Sequence, residues 1–456
     1  MVNDKDSSTK HWSENILFKV FIIGGIILAL MIPSFMITDL VRERSNRKME
    51  VIHEVSSKWG QLQTIAGPYI TIPYFEAVKT SNDVIEWREH ALNFFPKTLE
   101  INGTIDPVLK KRSIFQVMLY ESDLTMKGRF EYPDLDALQI SPENISWEKA
   151  TIHLGITDLI GIGEKVSVHI GDTILPMTAA VPVAIRFPNG LMSRLPKNIV
   201  TSPGFDFEID LTIKGSQGIY FTPVANNTTV TLNSTWPSPK FEGQILPDTT
   251  TITVNGFDVR WNILDINRQI TQEWTDAAPQ HLSPATPPPR HETTYPMDAA
   301  GTNIRTVVGV DLLNTVNHYT KNERTVKYAF LLITLTFVVY FFCEVLKKQK
   351  VHPMQYGLVG AALVIFFILL LSFSEHIGFD LAYLISSLAT VLLITLYSRT
   401  IFYEKHYANL VGGLLLVQFG FIYIILQLED YALLAGSIAL FAIIALIMYL
   451  TRKVKW

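Results

Sequence analysis

Apolar residues run unbroken at six places along the chain and alternate with polar ones over most of the rest. The first run, Ile16–Ile37, and five later ones at about Tyr328–Leu346, Tyr356–Phe373, Leu381–Ser398, Asn409–Gln427 and Tyr431–Leu450 are close to the roughly 20 residues that a bilayer crossing needs. A cleaved signal peptide is the competing reading of the first run. Its apolar core would be shorter, about 7 to 15 residues, and followed by small residues at a cleavage site, whereas Thr38-Asp39-Leu40-Val41-Arg42 follows here.

From Thr38 to Lys327 no apolar run is long enough to span, and Gly, Pro and Asn recur every few residues. The segment Phe205–Lys214 alternates apolar and polar residues over five pairs, and Phe115/Val117/Leu119 and Phe257/Val259/Trp261 repeat the pattern. A period of two buries one face and wets the other, as in antiparallel strands. Asn255-Gly256, Lys214-Gly215 and Pro237-Ser238-Pro239 are read as turns between such strands. At the start, Ile52, Val55, Trp59 and Leu62 keep a helical spacing, which predicts a stalk over 39–63 that ends before Ala66-Gly67-Pro68 because a Gly-Pro step breaks a helix. Residues 275–302 carry six prolines and little apolar content, so an extended or mobile loop is expected there.

The fold class that follows is a membrane protein with six transmembrane α-helices and a large β-rich, sandwich-like α+β exported domain between helices 1 and 2. Its expected segments are a cytoplasmic N-terminus (1–15), helix 1 (16–37), the exported domain (38–327), a five-helix bundle (328–450) and a cytoplasmic C-terminus (451–456). Composition agrees: of 456 residues 48% are hydrophobic and 18% charged, with a mean hydropathy of +0.24. So apolar a chain has to turn part of its surface to lipid. A net charge of −4 gives no reason to propose a nucleic-acid partner, which requires a concentrated basic face. The single cysteine, Cys343, excludes an intramolecular disulfide or a Cys-based metal cluster.

Charge orients the spans. Lys347, Lys348 and Lys350 follow the second run, Arg399 and Lys405 the fourth, and Arg452, Lys453 and Lys455 the sixth, while the short segments 374–380 and 428–430 hold no Lys or Arg, only Glu375, Asp380, Glu429 and Asp430. The excess of Lys and Arg in short loops marks the cytoplasmic side. Arg42, Arg44, Arg47 and Lys48 at one edge of the large domain, and Lys321, Arg324 and Lys327 at the other, run against this. Long domains translocate largely regardless of charge, so the short loops decide. Both termini are then cytoplasmic and the large domain is periplasmic.

Catalytic signatures are fragmentary. His53-Glu54 and His291-Glu292 lack the second histidine of a zincin helix, and no Walker A, dinucleotide or G-x-S-x-G motif occurs. A catalytic triad, being defined in space, stays open. No catalytic, cofactor-binding or metal-ligating residue is assigned and no cofactor is expected. Polar groups in the spans carry more interest because their desolvation is costly. Lys19 reads as snorkelling to the interface. Glu344, one turn before Lys348, reads as an i,i+4 pair at the cytoplasmic boundary. Gln418 reads as a hydrogen-bonding bridge between helices. Glu375 and His376 close the third span either as a wet helix end or as a proton or ligand site. Gly24 and Gly25, Gly357 with Ala361, and Gly412 and Gly413 offer close helix approach.

Several ordered motifs resemble one family. Phe341-Phe342-Cys343-Glu344, His352-Pro353-Met354-Gln355-Tyr356-Gly357 and Ser372-Phe373-Ser374-Glu375-His376 lie in the membrane region. Trp59, Gln63, Gly67-Pro68, Ile72-Pro73-Tyr74 and Trp236-Pro237-Ser238-Pro239 lie outside it. Together they are similar to the CreD family of bacterial inner-membrane proteins, although Asn317 stands where that family usually shows Asp. The resemblance implies a role in cell envelope integrity, in the Cre response to cell-wall stress and in tolerance of certain colicins. It brings no catalytic residue. The leading expectation is a non-enzymatic protein in the lipid bilayer that presents its β domain to envelope proteins or cell-wall components. A transporter or channel built on the C-terminal bundle is the alternative, and a membrane-linked enzyme the third.

The charge asymmetry fixes a test. Reporter fusions after Asp123, Lys350, Glu375 and Arg399 should read outside, inside, outside and inside in turn, and any two reversed would refute this orientation.

Overall fold

The computed structural model describes residues 16–79, 85–276 except 186 and 269, 307–312, 318–347, 351–428 except 403, and scattered positions between 434 and 448. The chain forms two compact units, one made of residues up to 49 and from 316 onward, the other of residues 50–315. Helix α1 (Ile16–Trp59) contributes to both. The second unit holds strands β1 (Gln63–Lys79), β2 (Ile85–Phe94), β3 (Thr98–Arg112), β4 (Phe115–Glu131), β5 (Thr151–Ile156), β6 (Ser167–Ile170), β7 (Thr173–Pro176), β8 (Thr178–Ala180) and β9 (Asn189–Arg194). A single helical turn α2 (Lys197–Val200) precedes β10 (Gly204–Ser216), β11 (Gly218–Thr222), β12 (Asn227–Ser234), β13 (Lys240–Gly243), β14 (Thr249–Thr253), β15 (Gly256–Leu264), β16 (Glu273–Thr275) and β17 (Val308–Asp311).

These strands make two sheets. One runs β13-β17-β11-β1-β5-β9-β8, with β2 on the far half of β1 and β16 on β2; the other runs β14-β15-β12-β3-β4-β10-β6-β7. Pairing is antiparallel except between β1 and β11 and between β3 and β12. The alternating segments become the second sheet. Phe207, Ile209, Leu211 and Ile213 of β10, Val117 and Leu119 of β4, and Phe257, Val259 and Trp261 of β15 are all buried, and most join one apolar core to which both sheets contribute. A large β-rich domain is therefore present, with one buried and one wet face on its alternating strands.

Two local expectations fail for identifiable reasons. Lys214-Gly215 is not a turn but the continuation of β10, paired with Glu121 and Tyr120. Glycine is needed there because a Cβ would lie 2.2 Å from the Tyr120 hydroxyl. The stalk stops at Trp59 rather than near Gln63, and Gly67-Pro68 sits inside β1, at the bulge where its pairing with β5 shifts. The helix ends because Gly60, at φ +145°, passes close to another strand: a Cβ on it would lie 2.3 Å from the Lys214 carbonyl oxygen. Only glycine combines that dihedral with that approach. Directly after it, buried Gln63 donates to the carbonyls of Asp158 (2.9 Å) and Lys214 (3.1 Å) and accepts from Asp158 N (3.2 Å). The Trp59 indole donates to Tyr120 O at 3.2 Å. The residues that follow the first span thus staple the helix end to both sheets.

In the other unit, α3 (His318–Lys327) and α4 (Ala329–Lys347) meet at a 43° bend and are followed by α5 (Pro353–Ile377), α6 (Phe379–Ile401) and α7 (Lys405–Gln427). Helix α1 and helices α5 to α7 are each long and apolar enough to cross a membrane, and α3 with α4 adds a fifth span if the bent pair counts as one. The sixth expected run, Tyr431–Leu450, and the Pro-rich segment 275–302 lie largely outside the described residues. Close approaches occur at Gly360, whose Cβ would meet Leu30 of α1, and at Gly412, against Thr395 of α6. Gly24, Gly25, Gly357 and Gly413 face open space instead. Helical spacing alone does not say which small residue faces a neighbour.

Gly60→Ala should cost at least about 2 kcal/mol through strain and clash. Gly163→Ala, whose Cβ would meet nothing nearer than the tip of Lys214 at 4.0 Å, should leave stability nearly unchanged. Denaturant titration of the detergent-solubilised chain, followed by protein fluorescence, compares the two.

Candidate functional site

Glu344 lies near the end of α4 and is only 5% exposed. Its carboxylate is fully engaged: Oε1 accepts from the backbone N–H of Val351 at 3.0 Å and forms an ion pair with Lys19 Nζ of α1, and Oε2 accepts from the Tyr356 hydroxyl at 3.0 Å. Three helices are thus joined at one side chain. The chain presents Val351 and Tyr356 correctly because α5 begins with a capping box. His352 Nδ1 accepts from Met354 N, Pro353 occupies the first turn, and the Gln355 side chain accepts from His352 N at 2.9 Å. Tyr356 packs edge-on against Phe337 and beside Tyr340, whose hydroxyl bonds Ser398 of α6.

The expected i,i+4 contact of Glu344 at the cytoplasmic boundary is not what the described residues show. Lys348 lies outside the described residues, and the observed cation is Lys19, 325 positions away. Lys19 does not simply snorkel. Sequence spacing favoured a local partner because a contact between distant helices leaves no periodic trace.

Glu375 and His376 do not form a pair. Glu375 is half-buried and accepts from the Tyr319 hydroxyl of α3 at 2.9 Å, while His376 is exposed. Beside them Asn322 donates to Ser374 Oγ at 2.8 Å. Nearby, Lys321, Gln427, Tyr423 and Asp380 form a chain of hydrogen bonds linking α3, α7 and α6. Tyr356 and Glu375 lie 19 residues apart on α5, about 28 Å along a straight helix, so Glu344 and Glu375 belong to opposite ends of the unit. Between them Gln418 of α7 donates to Leu332 O at 3.0 Å and accepts from Thr336 Oγ1 at 3.4 Å, bridging to α4. Tyr319 and Asn322 escaped the sequence reading because isolated aromatic and amide residues in helices carry no motif, and Tyr356 was named only as part of a family motif.

In the β-rich unit the buried titratable groups are held by the core. His153 is stacked on Tyr69 and bonded to Thr151, and burial lowers its pKa to about 4, so it stays neutral. Asp311 bonds the Tyr220 hydroxyl, and burial pushes its pKa up. Among the described residues no group of three or more His, Cys, Asp or Glu side chains is arranged to hold a metal ion.

The family described as Inner membrane protein CreD matches residues 15–456. A relative of that name from Escherichia coli (strain K12) is 27% identical over 444 residues, covering 97% of this chain and 94% of that protein. Among solved structures, the M1 zinc metallopeptidase of Deinococcus radiodurans aligns with 37% of this chain and 38% of its own at 7% identity and a TM-score of 0.17, a likeness too slight to bear on fold or chemistry.

Removing one member of the buried pair should cost more than removing both. Glu344→Met or Lys19→Met alone leaves a charge without its partner, worth about 3 to 5 kcal/mol, whereas the Lys19→Met/Glu344→Met double variant should recover most of that loss. Thermal unfolding of the four proteins in the same detergent measures the coupling, and simply additive losses would show that the pair is not energetically linked.

Proposed function

The chain belongs to the CreD family of inner membrane proteins, and from that premise we propose that it is a non-enzymatic, multi-pass protein supporting envelope integrity. In this reading both termini are cytoplasmic and the β-rich unit is displayed on the periplasmic face to cell-wall components or envelope proteins. The carrying observation is how the helical unit uses its polar groups. Glu344, Gln418 and Glu375 are each taken up in separate contacts between helices, which suits an anchor better than a conduit. The larger, two-sheet unit has its own core and is the part of the chain suited to contacts in water. The orientation rests on the Lys and Arg asymmetry of the short loops.

A transporter or channel is the second reading, and one observation favours it: an ion pair, Lys19 with Glu344, sits inside an apolar helical unit, where charges often mark transport paths. Glu375 and His376 separate the two. Glu375→Gln and His376→Asn keep hydrogen bonding and remove titration, so an anchor should support normal tolerance of cell-wall damage at equal protein levels. Loss of tolerance with intact folding and insertion would move the functional centre into the helices and overturn the proposal.

A further inference from the structure

The end of α1 and the tip of the β3–β4 hairpin enclose a small basic pocket. The hairpin outruns its neighbours: β12 accompanies β3 only to Ile105, and β10 accompanies β4 only from Leu119 onward. Its free arm carries Lys110, Lys111 and Arg112 around a tight turn at Ser113. With Glu54, Val55, Lys58 and Trp59 of α1, and with Leu119, the arm lines a cavity of about 280 Å³. The Trp59 ring is held by its bond to Tyr120 O. Lys110 Nζ lies 5.3 Å and Lys214 Nζ 5.0 Å from the centre of that ring.

Four cations, Lys58, Lys110, Lys111 and Arg112, therefore line this cavity with one carboxylate, Glu54. Glu54 serves both Lys58 (3.0 Å) and Arg112 (3.5 Å), and Glu121 lies 3.8 Å from Lys214. Among the described residues no carboxylate pairs with Lys110 or Lys111. Like charges gathered within a Debye length of about 8 to 10 Å repel each other, and a bound anion would relieve that repulsion.

We infer that the pocket bounded by Lys58, Trp59, Lys110, Lys111 and Arg112 is a binding site for a phosphate-bearing ligand. Lysine ammonium groups suit phosphate as point charges, and Arg112 adds a planar fork. The small volume favours a compact head over an extended acidic peptide, and Val55, Leu119 and the indole offer an apolar wall to whatever carries the phosphate. Such a ligand is either a soluble phosphate compound or the headgroup of a membrane lipid.

Calorimetric titration of the full chain in neutral maltoside micelles distinguishes these. The probes are inorganic pyrophosphate, dihexanoyl phosphatidylglycerol and, as the peptide control, polyglutamate. Pyrophosphate binding that weakens with added salt would show that the phosphate suffices, and binding of the lipid alone would identify the headgroup as the source. In either case the Lys110→Gln and Lys111→Gln variants should each bind more weakly, and together at least about tenfold more weakly, with an unchanged melting transition, because these side chains lie outside the core. The inference fails if neither phosphate probe binds, if the variants bind as the unaltered chain does, or if polyglutamate binds more tightly than both probes.

Discussion

A carboxylate taken out of water has to be compensated within a few ångströms, and the helical unit is arranged around that requirement at Glu344. The groups that satisfy it come from three places in the sequence: Lys19 in α1, Val351 before α5 and Tyr356 in its first turn. Each contact constrains a helix. Lys19 sets the rotation of α1 against α4, Val351 fixes the return of the chain, and Tyr356 orients α5, which in turn meets Tyr340 and, through it, Ser398 of α6. Apolar packing alone would specify these helices poorly, because lipid tails compete on equal terms with leucine side chains.

The β-rich unit meets a different problem, since burial of its apolar strand faces in one core drives its assembly. What it needs is accurate placement of the strand that enters both sets of contacts. Gly60 and Gly161 each bring backbone against the Lys214 carbonyl, and the buried amide of Gln63 bonds that same carbonyl and both backbone groups of Asp158. One side chain thereby ties the start of β1 to the loop after β5 and to β10. Truncating it would leave several backbone groups without partners, a larger loss than its modest size suggests.

What was legible in the sequence follows from which interactions are periodic. The alternation in β10 and β15 named the buried face correctly because burial on a strand repeats every second residue, whereas in β4 Val117 and Leu119 are buried outside the core that takes Met118 and Tyr120. Apolar runs located helices α5 to α7 for the same reason. The extent of α1, the strand conformation of Lys214-Gly215 and the partner of Glu344 were not legible. Each depends on a contact with a segment distant in sequence: the Lys214 carbonyl for Gly60, the Tyr120 hydroxyl for Gly215, Lys19 for Glu344. The motifs that carried the family resemblance turn out to mark such places. His352-Pro353-Met354-Gln355 is a helix start that aims Tyr356, and Trp59 with Gln63 is the staple at the helix end.

The placement of the polar contacts also bears on how the helices move. Helix α5 is held near its first turn by Tyr356 on Glu344 and near its last by Glu375 and Ser374 on α3. A helix bonded at one end retains freedom to tilt or to slide past its neighbours. One bonded at both ends, with Gly360 drawn against Leu30 of α1 between them, has to break polar contacts in an apolar surrounding before it shifts by a turn. Rearrangement of that size is what alternating access asks of a helix bundle. The same contacts cost nothing in a protein whose helices serve to hold a folded unit at the membrane surface, and they keep its anchor in a single arrangement.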